Sequence, residues 1–346
     1  MRMKRWRWIY RVNKIILIIP YFGAFNNYFE LWLESAKKNS RVDFLIVTDN
    51  NKPQELTSNI IWKKKIFQEI IEKINEIVCE FKPKIKEPYK LCEYKPLYGK
   101  IFKEYIMGYE FWGYCDIDLI FGNFDSFINE KKLEKFDKFY SRGHLTFYRN
   151  NDFFENLYKY EDCRMPVTYK EAWTTNYCCH FDEMPIWDTI IEENGYRCYN
   201  DIDFADIDIK SYRFQLAMGK DTAKAKQLYY KNGERLYRYY IDGKLNKKEI
   251  LYVHLQKRTM KIDMNSSIKD DYFIIPNRFV QFNKLYSLEK FIEENSKEII
   301  WKEYYKRRIK EIVNNIRKGA LRMRWIRYKR KFVCLKNKKM AENLIH

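Results

Sequence analysis

Residues 15–50 read IILIIPYFGAFNNYFELWLESAKKNSRVDFLIVTDN. The opening run Ile15–Ile19 is apolar and mostly β-branched, which suits a strand buried on both faces of a parallel sheet. Pro20-Tyr21-Phe22-Gly23 breaks it. Residues 25–39 then set Phe25, Phe29, Trp32, Leu33 and Ala36 at helical spacing. A second strand, Asp43–Val47, ends in Thr48-Asp49-Asn50. Strand, helix, strand at this spacing is a βαβ opening, and such sheets bind ligands at the carboxyl ends of their strands. Tyr21, Phe22 and Asp49 are therefore expected on a ligand edge.

Further along, residues 66–81 read as an amphipathic helix, and a helix is expected from Pro96 to Met107. Phe111–Cys115 fits another buried strand, Lys138–Tyr148 a strand around a break at Gly143, and Tyr196–Tyr199 a short one. Residues 152–160 and 185–194 look helical. Asn232-Gly233 between alternating aromatic runs signals a β-hairpin, and a last strand, Ile250–Val253, delivers His254. Beyond 286 the chain reads as helical and basic. The expected organisation is a basic segment 1–13, a catalytic α/β domain 14–285 and a basic helical extension 286–346.

Charge follows the same division. The formal net charge is +19, from 66 basic and 47 acidic residues. Residues 1–14 hold six basic residues and no acid, and residues 301–346 hold sixteen basic and three acidic ones, so the ends carry +6 and +13. The 286 residues between them carry 44 of each sign. A neutral body offers no excess positive charge to a phosphate backbone, which argues against a nucleic-acid binder. Hydrophobic content of 46% excludes a disordered chain. Eight cysteines without C-x-x-C spacing read as scattered buried thiols of a reducing, cytoplasmic compartment. The basic start and the apolar run before Pro20 are too short for a signal peptide's core, and no stretch approaches a membrane span.

Three constellations carry chemistry. Asp116-Ile117-Asp118 closes an otherwise uncharged strand, FWGYCDIDLIF at 111–121. Two carboxylates one residue apart in an extended segment point the same way and can share a hard divalent cation with phosphate oxygens. Left unpaired in so apolar a setting they would be costly. The D-x-D pairs at 201–208 read as an acidic loop. His254, followed by Gln256, Lys257 and Arg258, can complete a divalent shell with a basic residue facing a diphosphate. Asp182 and Glu183 either cap the helix at 185–194 or supply a base to an incoming hydroxyl. His144, in Arg142-Gly143-His144, is expected on the ligand edge. No P-loop, G-x-G-x-x-G, G-x-S-x-G or H-E-x-x-H occurs, which removes most nucleotide hydrolases, dehydrogenases, serine hydrolases and zincins.

Taken together, IIPYFGAFNNYFELWLESAKKN, DFLIVTD, PYKLCEYKPLYGKIF, GYEFWGYCDIDLIFGNF, RGHLTFYRN and YVHLQKR resemble a bacterial family of glycosyltransferase-like proteins with the GT-A fold, associated with capsule, O-antigen and other surface-polysaccharide clusters. The resemblance runs from about residue 14 to about 282. It implies a nucleotide-diphospho-sugar transferase with a mixed sheet flanked by helices. By position, Asp116, Asp118 and His254 would hold Mn2+ or Mg2+. Asp116 and Lys257 would face the donor diphosphate. Pro20, Tyr21, Phe22 and Asp49 would grip the nucleoside, and Lys95, Tyr98, Arg142, Gly143 and His144 would lie near the donor sugar. Asp182 and Glu183 would stand on the acceptor side. The implied activity is hexosyl transfer from a nucleotide sugar, usually a UDP-sugar, to a saccharide or lipid-linked acceptor. The late His-Leu-Gln-Lys lacks the glycine and Pro-Trp of the better-known retaining group, which leaves retention or inversion open. A sugar nucleotidyltransferase would want a Gly-rich basic phosphate loop that Pro20–Asn27 does not offer. The remaining rival is a non-enzymatic membrane-surface or nucleic-acid-binding protein working through its basic ends. Those ends, WRWIYR and RMRWIRYKRKF, interleave Trp and Tyr with Arg and Lys, which suits a peripheral location on an anionic inner leaflet.

Overall fold

The structure, a computed structural model, describes residues 13–207, 214–216, 226–265, 270–281, 287–296 and 304–345. Its centre is a mixed sheet of seven strands, ordered Ile60–Lys64, Val42–Thr48, Ile15–Pro20, Phe111–Cys115, Leu145–Arg149, Lys138–Arg142 and Cys198–Tyr199. The first four run parallel, and the hairpin of 138–149 joins antiparallel to Phe111–Cys115. Ile15–Pro20 lies between two partners, which is why its continuous apolar run is needed. Ile16 and Ile18 pack into one core with Leu45, Val47 and Tyr114, while Ile15, Leu17 and Ile19 pack into another with Phe44, Ile46 and Phe111. Full burial of each such side chain contributes about 1.5–3 kcal/mol. Gly113 is required at the centre of the sheet, because a Cβ there would sit 2.2 Å from the Thr146 carbonyl oxygen.

The helix Phe29–Lys37 covers one face, burying Phe29, Trp32, Leu33 and Ala36 as the spacing predicts. A second sheet, ordered Phe214–Leu216, Phe204–Ile207, Tyr252–His254 and Leu119–Phe121, continues from the strand that ends in the carboxylate pair. A third, antiparallel for the most part, contains the expected hairpin as Lys226–Asn232 and Arg235–Asp242, and also Lys244–Glu249, Lys261–Asp263, Asp271–Ile275 and Arg278–Val280. The protein is thus a mixed α/β molecule. Among the described residues no helix is long and apolar enough to cross a membrane.

Four expectations are corrected. The helix expected from Pro96 to Met107 forms in two short α-helical pieces, Tyr98–Ile101 and Lys103–Ile106, broken at Phe102, while Pro96 and Leu97 belong to a preceding 3-10 helix, Pro88–Leu97. The supposed acidic loop contains a strand, Phe204–Ile207, paired in parallel with Tyr252–His254. Strands continue past His254, so Ile250–Val253 is not the last. The cysteines are neither uniformly buried nor scattered: Cys79 and Cys163 are exposed, Cys92 lies 3.6 Å from Cys178, and Cys163 lies 3.1 Å from Cys334 (sulfur to sulfur). The basic N-terminal segment 1–12 lies outside the described residues.

Candidate functional site

The segment Asp116–Asp118 is held by its backbone from four directions. Asp116 donates its N–H to His144 O at 2.9 Å, and Trp32 Nε1 donates to Asp116 O at 3.1 Å. Asn26 Nδ2 donates to Ile117 O at 2.9 Å, and Leu255 N to Asp118 O at 2.8 Å. All three carbonyls of the triplet therefore accept from separate parts of the chain, the helix at Trp32 and the loops at Asn26 and Leu255, which pins the backbone that carries the two carboxylates.

His254 arrives on the strand beside Leu119–Phe121, whose register pairs His254 with Leu119. Its Nε2 lies 3.3 Å from Asp118 Oδ2, and its ring stacks on His144 with centroids 4.3 Å apart. Behind it, Nδ1 lies 3.1 Å from Asp206 Oδ1, and Gln256 Nε2 donates to both Asp206 oxygens at 2.8 and 2.9 Å. The chain then turns through Gln256 and Lys257, both left-handed at φ 54° and 55°. Two consecutive non-glycine residues in that region cost on the order of 1–3 kcal/mol each. The turn directs Lys257 N–H onto Asp118 Oδ2 at 2.5 Å and sets the Lys257 ammonium 4.2 Å from the Tyr89 ring centre. Strain here is spent on aiming groups at one point.

Asp116, Asp118 and His254 bring one ligand atom each within 4.8 Å of one another, and so do His144, Asp206 and His254. Asp118 Oδ1 is buried and has no hydrogen-bond partner among the described residues. A buried carboxylate oxygen left without a donor is costly, and a hard cation would satisfy it. Two carboxylates and one imidazole form a donor set that fits Mn2+ or Mg2+.

Charge in the site is tightly balanced. Lys95 Nζ donates to Asp116 Oδ1 at 2.8 Å and to Gly143 O at 2.6 Å, and lies 3.6 Å from Asp182 Oδ2. Burial would push the Asp116 carboxyl up, but Lys95 and Lys257 outweigh it and hold the group well below the usual carboxylate range. Burial lowers His254, yet Asp118 and Asp206 reverse that and bring it to about 10. His144, buried beside His254, is driven well below the ordinary imidazole value. Asp182 is raised to about 7, chiefly by burial, with Lys95 opposing and Glu183 reinforcing. Glu183 pairs with His180 at 2.6 Å, a contact that raises His180 to about 9.

Glu93 fixes the acidic turn. Its Oε1 accepts from His180 N at 2.6 Å and Phe181 N at 3.3 Å, and Lys90 lies 3.5 Å from its other oxygen. Asp182 therefore points back at Gly143, where a Cβ would come within 2.8 Å of Asp182 Oδ2.

These groups line a cleft of two lobes that share Tyr89, Cys92, Lys95, Asp116, Lys257 and Arg258. One lobe, of about 440 Å3, is polar and holds Arg142, Gly143, His144, Asp182, Glu183 and His254. The other, of about 710 Å3, is aromatic and holds Pro20, Tyr21, Phe22, Tyr98 and Asp118. Their size suits a ligand of nucleotide-sugar dimensions. Of the residues singled out from the sequence, Asp49 alone lines neither lobe. It is exposed, and its Oδ1 accepts from Gly23 N at 3.0 Å, which shapes the turn below Tyr21 and Phe22. Sequence reasoning missed Asp206, Tyr89 and Glu93. Only Asp206 carried a signal, its place in a D-x-D repeat. Cys178 joins Cys92 and Glu93 in a third group of ligand-type atoms on the cleft wall.

The chain belongs to the family described as Family of unknown function (DUF6625), which matches residues 17–283 and so takes in both lobes of the cleft. No curated protein matches the chain.

Proposed function

We propose that this chain is a metal-dependent glycosyltransferase of the GT-A type, moving a hexosyl group from a nucleotide-diphosphate sugar to a saccharide acceptor in bacterial surface-polysaccharide synthesis. The observation that carries the reading is the unpartnered, buried Asp118 Oδ1, set with Asp116 and His254 where an aromatic lobe meets a polar one.

Each lobe has a chemical task. Tyr21 offers its ring to a nucleoside in the aromatic lobe, which Phe22 and Tyr98 also line, with UDP-sugars the first donors to examine. Lys257 and Arg258 belong to both lobes, where a diphosphate would bridge them. Asp116, Asp118 and His254 would hold Mn2+ or Mg2+, which supplies charge neutralisation for the departing nucleoside diphosphate.

Asp182 is the base of choice for the acceptor hydroxyl. Raised to about 7, it can accept a proton at neutral pH, whereas Glu183 is engaged by His180. As the hydroxyl oxygen bonds to the sugar's anomeric carbon, its proton passes to Asp182 and the bond to the diphosphate oxygen breaks, the electron pair leaving with the phosphate. That direct displacement inverts the anomeric centre.

A thermal-shift screen of nucleotide sugars with and without Mn2+ tests the proposal. The expected result is stabilisation by one donor class that requires the metal. Equal or absent responses across all nucleotide sugars would contradict it.

A further inference from the structure

The helix Ala320–Ile345 docks on the body through one narrow face. Met323, 1% exposed, enters the main core, Arg327 Nη2 donates to Cys179 O at 2.8 Å, and Arg330 Nε donates to Met165 O at 2.8 Å. Cys334, on the same face, meets Cys163. Trp325 stands two residues beyond Met323, about 200° further round a helix of 3.6 residues per turn. It is 56% exposed, and Phe332, one heptad on, is 62% exposed. Leu321, Tyr328 and Leu335 share that outward stripe and are exposed as well. The helix thus carries, besides Met323 on the body side, a second apolar stripe turned to solvent, where an amphipathic helix would be polar.

Basic residues border the stripe on both sides: Arg322 and Lys329 on one edge, Arg324 and Lys331 on the other, all exposed. The preceding helix, Tyr304–Lys318, repeats the pattern. Ile309, Ile312, Val313 and Ile316 form an exposed stripe at helical spacing, flanked by Arg308, Lys310 and Arg317.

We infer that these two helices form a membrane-surface docking face for anionic phospholipid. An outward apolar stripe edged by cations matches the boundary between acyl chains and anionic headgroups, where the stripe can be buried while Lys and Arg meet phosphate. A nucleic acid would use the cations and leave the apolar stripe in water. The association is peripheral, because neither helix is apolar enough to span a bilayer.

The face also has a place relative to the cleft. Arg308 and Glu311, on the first of these helices, line the polar lobe. A bilayer bound here lies beside the opening through which an acceptor enters, which favours an acceptor carried on lipid. That corollary alone rests on the glycosyltransferase reading; lipid binding stands without it.

Co-sedimentation of the full chain with vesicles tests the inference, because it reads binding and not turnover. The expected result is sedimentation with phosphatidylglycerol–phosphatidylcholine vesicles at low salt, little with phosphatidylcholine alone, release at high salt, and a blue shift in Trp emission. The pair Trp325→Glu and Phe332→Glu, and separately Lys329→Glu with Lys331→Glu, should each weaken binding on the order of tenfold or more. Circular dichroism and an unchanged thermal midpoint would verify that both variants fold. Failure of the wild-type chain to sediment with anionic vesicles overturns the inference. So does a wild-type dimer in ultracentrifugation that the Trp325→Glu pair dissolves, since a second copy would then cover the stripe.

Discussion

His254 is clamped between two carboxylates, with Nδ1 3.1 Å from Asp206 Oδ1 on the side away from Asp118. An aspartate in that position fixes the ring and keeps Nε2 directed at the Asp116–Asp118 pair, as outer-shell partners of metal-bound histidines do.

Asp206→Asn should therefore weaken Mn2+ affinity by about 10–100-fold, the range seen when such partners are lost. Isothermal titration calorimetry on the folded variant checks this. Unchanged affinity would make Asp206 a structural partner of Gln256 alone.

The pH profile should carry the signature of Asp182. A base must be unprotonated, so transfer to acceptor should rise with pH and level off above about 7, where burial has set this carboxyl. Asp182→Asn should lower kcat by about 10²–10⁴-fold while leaving donor binding intact. A profile flat through neutrality in the wild type would remove Asp182 from that role.

Gly143→Ala probes the same carboxylate from behind. The added methyl would lie 2.8 Å from Asp182 Oδ2 and 3.2 Å from Glu183 Oε2, so the two carboxylates must be displaced. Transfer should drop at least about tenfold, with about 1–3 kcal/mol of lost stability from overpacking and Mn2+ affinity preserved. Wild-type transfer rates in this variant would show that the turn is tolerant.

Lys231 gives a stability test away from the cleft. It is fully buried, donates to Phe121 O at 2.6 Å and Glu234 O at 3.2 Å, and is lowered to about 7 by burial, with Lys38 adding to the effect. The unfolded chain holds this proton up to about pH 10.4, so between 7 and 10 the unfolded state binds more protons and stability rises with pH. Below 7 both states are charged and the slope vanishes. The difference between wild type and Lys231→Met in urea unfolding should therefore change by about 1 kcal/mol per pH unit from 7.5 to 8.5. A pH-independent difference would contradict the burial effect.

Much of this geometry was legible where the sequence is locally decisive. Ile15–Ile19 reads as a doubly buried strand because nothing else accommodates five such residues between Lys14 and Pro20. The carboxylates of Asp116 and Asp118 stand out because they end a strand otherwise without charge. Asp206 did not, because Phe204–Ile207 becomes a strand only through pairing with Tyr252–His254, across a sequence separation that local pattern does not encode. Ile60–Lys64 was missed for a related reason: it is a short edge strand, only partly buried, whose apolar start Ile60-Ile61-Trp62 runs straight into lysines without alternation. The helix expected after Pro96 forms as Tyr98–Ile101 and Lys103–Ile106, whereas the 3-10 turns of Pro88–Leu97 before it, which bring Lys90, Glu93 and Lys95 inside together, leave no periodic signal in the sequence.

In the proposed reaction Asp116 and Asp118 hold a divalent cation against a nucleotide sugar. This role is tested most directly by Mn2+-dependent donor hydrolysis in the wild type and in the folded double variant Asp116→Ala, Asp118→Ala. The expected result is metal-dependent turnover in the wild type, and loss of both Mn2+ binding and turnover in the variant. Hydrolysis and metal dependence unchanged by the double substitution would contradict it.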